Sequence, residues 1–305
     1  MTDRSRRDFL IGTAAVGAAL ILPGGAAARG AAGLASPVHA AGLAGHELPV
    51  EGGLVAAAQG PIRLGVASYS LRQFPRQYVI QAVGELGTPY INIKSFHQPY
   101  ESSPEELVAG RRIFEDAGLQ IVGGGTITLQ QDDDDDIRGY FEYARLSGMP
   151  LMVIAPTAQT LPRIERFVKE YDIEVAVHVH GPTDIHFPGP QDVLPVIEDM
   201  DPRVGVCVDV GHTARTGIDL VEVLDMCGDR ALDMHMKDLG DLSSAASQCI
   251  VGEGRIPVPA IFRQLEKMDY AGYVNLEYEI DADDPLPGMK QSFAYMRGVI
   301  AAMQS

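Results

Sequence analysis

The stretch VGVCVDVGH, residues Val204–His212, is a short apolar run that ends in a carboxylate and a histidine. Valine-rich runs of this length are typical of parallel strands that are buried on both faces. Because side chains alternate along a strand, Cys207 and Asp209 lie on the same face. A buried carboxylate needs a cation or hydrogen-bond donors beside it. The stretch therefore predicts a buried strand with a polar site at its carboxyl end.

The same pattern of a short apolar run and an amphipathic segment recurs from Pro61 to the end of the chain. Eight alternating units over about 245 residues predict an α/β protein, a (β/α)8 barrel. A doubly wound sheet is the alternative, and no Gly-x-Gly-x-x-Gly turn follows the first strand to support it. The predicted strands are Ile62–Ala67, Tyr90–Lys94, Leu119–Gly123, Leu151–Ala155, Ile173–His180, Val204–Asp209, Ala231–His235 and Tyr273–Glu277.

Helix-start signals lie between these strands. Ser103-Pro104-Glu105-Glu106 predicts an N-cap with proline at the first helical position. The run Asp132–Asp136 is interpreted as the start of a helix over Ile137–Ser147, because carboxylates complement a helix N-terminus. Gly123–Gly125 is expected to give the backbone room at a crowded barrel mouth. Further helices are predicted at Pro190–Met200, Asp219–Cys227, Pro257–Met268 and Pro287–Met303.

The first sixty residues differ from the rest. Arg6-Arg7 precedes an apolar run, Phe9–Leu22, that is shorter than the roughly 20 residues of a membrane-spanning helix. This pattern resembles a twin-arginine export signal. We predict a signal peptide over 1–40, a flexible leader over 41–60 and the barrel over 61–305. The protein is then expected in the periplasm or secreted, with no stable membrane insertion.

The charge of the chain excludes several partners. The formal net charge is −17, and removal of residues 1–40, which carry four Arg and two Asp, would leave −19. Nucleic acid and anionic membrane surfaces both require clustered Lys and Arg, so neither is expected as a partner. Three scattered cysteines are too few for a disulfide framework. The composition leaves a homo-oligomer open.

The histidines gather where predicted strands end. Of the eight in the chain, His39 lies in the predicted signal peptide, His46 in the leader and His186 in the loop after the fifth strand. Surface histidines would scatter over helices, yet none is predicted on a helix. The other five lie at or just beyond a strand end, where barrel enzymes keep their active sites: His97, His178, His180, His212 and His235.

Four consecutive strands predict a metal site. The stretch EVAVHVHG places His178 and His180 on one face, DMHMKD does the same for His235 and Lys237, and NLEYE does so for Glu277 and Glu279. A mixed set of nitrogen and oxygen ligands suits one divalent ion, Mn, Zn, Co, Fe or Mg. Cys207 is interpreted as core. The predicted ligands are His178, Asp209, His235 and Glu277.

The polar residues left over are candidates for substrate chemistry. His180 and Glu279 lie one step nearer to solvent than a ligand and are the candidate bases, although His180 could instead only orient a neighbouring ligand. His212 is expected to orient hydroxyl groups. Ordinary salt bridges are the alternative for the candidate substrate contacts, which are Lys94, His97, Arg215 and Lys237, with Asp184 as a further loop candidate.

Four motifs in order along the chain resemble the xylose-isomerase-like TIM-barrel superfamily: Val204–Thr213, Asp233–Asp238, Gly252–Pro257 and Tyr270–Glu279. The superfamily includes sugar isomerases, ketose 3-epimerases, inosose dehydratases and endonuclease IV. The resemblance implies a Glu, Asp, His, Glu metal set, and Asp209, His235 and Glu277 match its last three members. His178 departs from the pattern, because it lies where many members have a glutamate.

The resemblance implies a metal-dependent sugar isomerase or epimerase that transfers a proton next to a carbonyl group of a small carbohydrate. In ketose epimerases the missing glutamate is one of two proton-transfer groups, so a symmetric two-base epimerase is disfavoured. The alternative is a lyase or hydrolase of 3-keto-glycosides. A non-catalytic sugar- or metal-binding barrel is less favoured. The acidic charge and predicted export disfavour endonuclease IV-like DNA repair.

Export is tested through the arginine pair. Replacing Arg6→Lys together with Arg7→Lys should leave the precursor in the cytoplasm, because the pathway recognises the paired guanidinium groups. Fractionation of expressing cells would measure the distribution. The single change Arg4→Lys, outside the pair, is the control and should leave export intact. Normal export of the double variant would contradict the twin-arginine route.

Overall fold

The computed structural model describes residues 62–305. The predicted signal peptide and the whole of the predicted leader lie outside this range. Within it, eight parallel strands form a closed barrel in which strands that follow one another along the chain are neighbours and the last pairs with the first. This arrangement confirms the predicted (β/α)8 barrel. The barrel strands are β1 (Arg63–Ala67), β2 (Tyr90–Ile93), β3 (Gln120–Leu129), β4 (Leu151–Pro156), β5 (Glu174–His178), β6 (Val204–Asp209), β7 (Ala231–Met236) and β10 (Tyr273–Leu276).

Helices surround this barrel, and the apolar face of each packs against the strands. None of the helices within residues 62–305 combines the length and apolarity needed to cross a bilayer. The helices are α1 (Arg76–Glu85), α2 (Pro104–Asp116), α3 (Asp134–Ser147), α4 (Leu161–Tyr171), α5 (Pro190–Ile197), α6 (Val210–Ala214), α7 (Leu220–Cys227), α8 (Val258–Lys267) and α9 (Leu286–Met303).

The two helix-start signals behave as their chemistry predicts. The Ser103 side chain accepts a hydrogen bond from the Glu106 amide, and the Glu106 side chain accepts one from the Ser103 amide. The Asp133 carboxylate accepts hydrogen bonds from the amides of Asp135 and Asp136. The aspartate run is therefore a helix start, as predicted.

The sequence prediction ended the third strand too early. β3 continues through the glycine run to Leu129. A Cβ atom on Gly124 would collide with Met149 and would lie 2.9 Å from the Ile93 carbonyl oxygen. Gly125 has φ of +119°, a value that side chains disfavour, and the register with β4 shifts there. Gly124 thus allows Met149 and the Ile93 backbone to pack closely against β3. Gly125 allows β3 to bend where its register with β4 shifts.

A second correction concerns His212. The sequence predicted no histidine on a helix, but His212 lies on α6, a five-residue helix that begins directly after β6. Asp209 is its N-cap, and the Asp209 side chain accepts a hydrogen bond from the His212 amide. The Asp-Val-Gly-His string is therefore a strand end joined without a loop to a helix start.

The connection between β7 and α8 is organised by one buried carboxylate. It contains a two-stranded antiparallel sheet formed by β8 (Asp238–Leu239) and β9 (Gln248–Cys249). The Asp238 carboxylate accepts four backbone hydrogen bonds of 2.8–3.0 Å, from the amides of Leu239, Gly252, Gly254 and Ile256. This side chain therefore fixes the path of the segment that follows the short sheet.

We expect Asp238→Ala to lower the free energy of unfolding by about 3–5 kcal/mol, because four amides lose their acceptor and leaving a buried donor unpaired costs about 1–3 kcal/mol. Asp241→Ala is the matched control. Asp241 is exposed and its side chain accepts hydrogen bonds from the amide and the hydroxyl of Ser243, so the loss should stay below about 1 kcal/mol. Urea unfolding would measure both. Equal losses would contradict this role of Asp238.

Candidate active site

Four buried side chains converge at the carboxyl ends of β5, β6, β7 and β10. They are His178, Asp209, His235 and Glu277, and one ligand atom from each lies within 4.8 Å of the others. The strand register explains this, because Asp209 is paired with His235 and His235 with Asn275, two residues before Glu277. The structure thus brings together all four predicted ligands.

The facing atoms are close enough to require a shared proton or cation. His178 Nε2 lies 3.0 Å from His235 Nδ1, which lies 3.2 Å from Glu277 Oε2. Asp209 Oδ1 accepts from the His212 amide, while Asp209 Oδ2 forms no hydrogen bond of good geometry within residues 62–305 and is paired with the Lys237 ammonium 2.9 Å away. A carboxylate oxygen held only by an ion pair and two opposed ring nitrogens fit a divalent ion.

The protonation states favour metal binding. Burial, with neighbouring histidines, lowers the pKa of His178 well below its usual value, so the ring is neutral and offers a lone pair. Burial acts to raise the pKa of Glu277, but His235, Lys237 and Lys94 outweigh it and hold that pKa well below its usual range. For Asp209, His212 and Lys237 similarly outweigh burial and lower the pKa. Neutral imidazole and ionised carboxylates are the forms that bind metals.

Two lysines balance these carboxylates. Lys237 Nζ lies 2.9 Å from Asp209 Oδ2, 3.0 Å from Glu277 Oε2 and 2.7 Å from Glu279 Oε2. Lys94 Nζ lies 3.6 Å from Glu277 Oε1 and 3.5 Å from His235 Nε2. Both lysines are nearly buried. They therefore lie beside the cluster, where the sequence placed them as candidate substrate contacts.

His180 forms a pair with Asp184 at the rim. His180 Nδ1 lies 3.0 Å from Asp184 Oδ2, and Asp184 Oδ1 accepts hydrogen bonds from the amides of His186 and Phe187. The carboxylate is thus held in place and binds the Nδ1–H tautomer. His180 Nε2 then carries the lone pair. With 39% of its side chain exposed, His180 can reach a substrate that enters from solvent.

His212 is oriented by Arg215. A guanidinium nitrogen of Arg215 contacts His212 Nδ1 and also donates to the His180 carbonyl oxygen at 3.0 Å. Arginine can only donate, so His212 Nδ1 accepts and a neutral ring carries its proton on Nε2. Burial is the main cause that lowers the pKa of His212 to about 4, and Lys237 and Arg215 add to it. His212 is therefore a neutral hydrogen-bond donor.

A cleft borders the cluster and is lined by His212, Arg215, Lys237, Gln248 and Glu279 among others. Gln248 sets the course of the chain there. Its side-chain nitrogen donates to the Glu277 carbonyl oxygen at 3.1 Å, and its side-chain oxygen accepts from the Glu279 amide at 3.0 Å. The short sheet after β7 thus fixes the backbone that carries two of the site carboxylates.

His97 does not join the cluster. Its Nδ1 lies 2.9 Å from Ser68 Oγ, and its Nε2 lies 3.2 Å and 3.1 Å from the carbonyl oxygens of Leu71 and Phe74. Burial lowers its pKa, and both ring nitrogens have protein partners. This placement does not match the predicted substrate contact, because no ring nitrogen is left for a ligand. His97 instead joins the segments after β1 and β2.

Sequence reasoning missed Asp233 beneath the cluster. It accepts hydrogen bonds from the amide groups of Asn275 at 2.7 Å and Asn92 at 3.2 Å, and its Oδ2 lies 3.7 Å from His235 Nε2. Burial raises the pKa of Asp233 to about 6. The carboxylate supports His235 from the side away from the ligand atoms. Alternation in DMHMKD places it on the same face as His235 and could have revealed it.

Comparison with known proteins gives the family. Residues 80–299 match the family described as xylose isomerase-like TIM barrel. This span is more than two thirds of the chain, and the chain belongs to that family.

The inosose dehydratase of Clostridium beijerinckii is 22% identical over 215 residues, which cover 65% of this chain and 68% of that enzyme. Alignments with inosose dehydratases of three bacteria cover 46–68% of those proteins.

Solved structures share the fold at low identity. The IolI protein with a bound zinc atom has a TM-score of 0.67 and 14% identity, covering 79% of this chain and 99% of that chain. The 3-keto-D-glucoside 4-epimerase of E. coli has a TM-score of 0.63 and 17% identity, covering 78% and 99%.

We expect Asp209→Ala and Glu277→Ala each to lose most of the bound metal while the barrel stays folded, because each removes one of two carboxylate ligands. Metal analysis of the purified variants, with circular dichroism as the folding check, measures this. Glu279→Gln is the matched control and should keep its metal, because Glu279 lies outside the four-residue cluster. Full occupancy in both alanine variants would refute the ligand set.

Proposed function

We propose that this chain is a divalent-metal-dependent enzyme that acts on a small carbohydrate and transfers a proton at the carbon next to a carbonyl group. The observation that carries the proposal is the His178, Asp209, His235, Glu277 cluster beside a half-buried His180–Asp184 pair at the rim. A divalent ion held by these four residues would polarise the carbonyl oxygen and make the neighbouring C–H group more acidic. Family membership and the sugar-modifying relatives support the same conclusion.

The composition of the cluster defines the class of metal. Two imidazoles and two carboxylates suit a transition ion or zinc, and all-oxygen calcium sites have a different ligand set. The zinc atom in the IolI structure is consistent with this class. Mn, Zn, Co, Fe and Mg all remain candidates.

His180 is the proposed base. Asp184 accepts from its Nδ1–H, so Nε2 is free to take a proton from substrate, and the resulting imidazolium would be stabilised by the adjacent carboxylate. Arg215 fixes the His180 backbone through the carbonyl oxygen. His212, held neutral with a proton on Nε2, would donate a hydrogen bond to a substrate oxygen.

Glu279 and Lys237 are the proposed second proton-transfer pair. Lys237 Nζ donates to Glu279 Oε2 at 2.7 Å, and both border the cleft. A proton returned to carbon from this side would give epimerisation or isomerisation. A proton delivered to a departing oxygen would give elimination.

Lys94 is nearly buried beside Glu277, and we propose that it balances charge or contacts the substrate carbonyl.

A dehydratase or lyase is the second candidate, and one observation favours it. The family resemblance places His178 where many members have a glutamate, and the His178 ring belongs to the buried cluster. The symmetric pair of carboxylate bases expected of a ketose epimerase is therefore incomplete. Elimination needs one base and one acid, which His180 and the Lys237–Glu279 pair would supply. The inosose dehydratases among the relatives support this candidate. The substrate class proposed for it is the 3-keto-glycosides.

We also propose that the enzyme works outside the cytoplasm, on unphosphorylated sugars. The Arg6-Arg7 pair is the observation behind this proposal. The formal net charge of −17 disfavours a nucleic acid as partner. The His180–Asp184 pair supports an enzyme in preference to a sugar-binding barrel, because binding alone does not need an activated base.

The test combines substrate, metal and solvent label. The protein, loaded in turn with Mn²⁺, Zn²⁺ and Co²⁺, would be incubated with aldoses, ketoses, inososes and 3-keto-glycosides in deuterated water. We expect deuterium at the carbon next to the carbonyl in product or recovered substrate. An epimer as product identifies the first candidate, and an unsaturated or deglycosylated product identifies the second. Turnover with no label and no isotope effect from substrate deuterium would overturn the proton-transfer chemistry.

His180→Ala should lose roughly 10²–10⁴ in turnover and keep its metal, because a general base contributes about that factor. His186→Ala is the matched control. His186 lies in the same loop, and its backbone amide, which the variant retains, donates to Asp184 Oδ1, so turnover should change little. Joint loss of metal and activity in His180→Ala would show that His180 only positions a ligand.

A further inference from the structure

Cys207, on β6, is a buried nucleophile that the proposed chemistry does not use. It lies one inward position below Asp209, and the strand register pairs it with His178 on β5. Its side chain is fully buried and packs with Leu151, Val153 and Ala176 inside the barrel. An apolar neighbourhood on this side keeps water away from the sulfur.

Cys207 completes a second group of possible ligands. One ligand atom from each of His178, Cys207 and His235 lies within 4.8 Å of the others, and all three residues are buried. Asp233 Oδ2 lies 3.7 Å from Cys207 Sγ and 3.7 Å from His235 Nε2, so a carboxylate lies next to this group. Two imidazoles and a thiolate form a soft ligand set, in contrast to the two carboxylates above.

We propose that the barrel has a second, deeper ion position formed by His178, Cys207 and His235, which selects thiophilic divalent ions such as Cd²⁺ and Zn²⁺. This inference rests on the proposed metal centre, because the two positions share both imidazoles. We therefore infer that the two positions are alternatives for a single bound ion. Binding forms a sulfur–metal bond, and the thiol proton leaves to solvent.

The lysine contacts explain why soft ions prefer the deeper position. Lys237 Nζ already lies within 3.0 Å of carboxylate oxygens of both Asp209 and Glu277, so an ion in the upper position competes with an ammonium group for these oxygens. Cys207 Sγ instead donates a hydrogen bond to Asp233 Oδ2 at 3.7 Å, and among residues 62–305 no lysine forms a hydrogen bond with this sulfur. Hard ions such as Mn²⁺ gain little from sulfur and are expected at the carboxylates.

The experiment titrates the metal-stripped protein with Cd²⁺ and follows the near-ultraviolet charge-transfer absorption of a sulfur–cadmium bond. We expect the absorption to saturate at one equivalent in the unchanged protein. Cys207→Ala should lack it and bind Cd²⁺ at least roughly tenfold more weakly, because only the shared imidazoles and carboxylates remain. Cys227→Ala and Cys249→Ala, which remove the other two thiols, are the matched controls and should keep the absorption.

Mn²⁺ binding, measured in parallel by the signal of the free ion, separates this inference from the proposed function. If Cys207→Ala does not fold, Cys207→Ser provides the same comparison. Cd²⁺ bound without sulfur absorption, while Mn²⁺ still binds, would overturn the deeper position and leave the metal centre intact. Absorption that persists without Cys207 would also overturn it. Binding of neither ion would overturn both.

Discussion

The two oxygen atoms of Asp209 have different environments, and the site depends on this division. Oδ1 caps α6 through the His212 amide, while Oδ2 faces the two histidines and Lys237. The first contact fixes the rotamer and places the carboxylate at the end of β6. The second oxygen is charged, is paired with the Lys237 ammonium and faces the cluster. A helix start and a ligand atom are thus built from one side chain at the junction of strand and helix.

Much of the site follows from alternation along parallel strands. Once eight strands form a barrel, residues two apart on one strand lie on one face, and strand ends meet at one rim. That alternation alone predicts that His178, Asp209, His235 and Glu277 come together. It also predicts Lys237 on the face of His235, whereas Lys94 follows from its position after the second strand and is predicted only as a candidate substrate contact.

Other features depend on contacts that alternation does not describe. His97 follows a strand as the other histidines do, but its partners are carbonyl oxygens of the segment after β1, brought close only by the folded chain. The role of Asp184 arises from a loop whose own amides orient the carboxylate. The predicted third strand stops at Gly123, but β3 continues to Leu129. The sequence does not show that Gly124 packs against Met149 and Ile93 within that strand, because this contact exists only in the folded barrel. Loop conformation and packing distances determined these three outcomes.

The Gln248 contacts have a mechanical consequence. Its side-chain amide bridges the carbonyl of Glu277 and the amide of Glu279. These two hydrogen bonds connect the short β8–β9 sheet to the end of the last barrel strand. Asp238 holds the β8 end of the short sheet by accepting hydrogen bonds from four backbone amides. A displacement of the segment over the cleft would therefore be transmitted to the Glu279 carboxylate, and the timing of substrate entry would be linked to the position of a proton-transfer group.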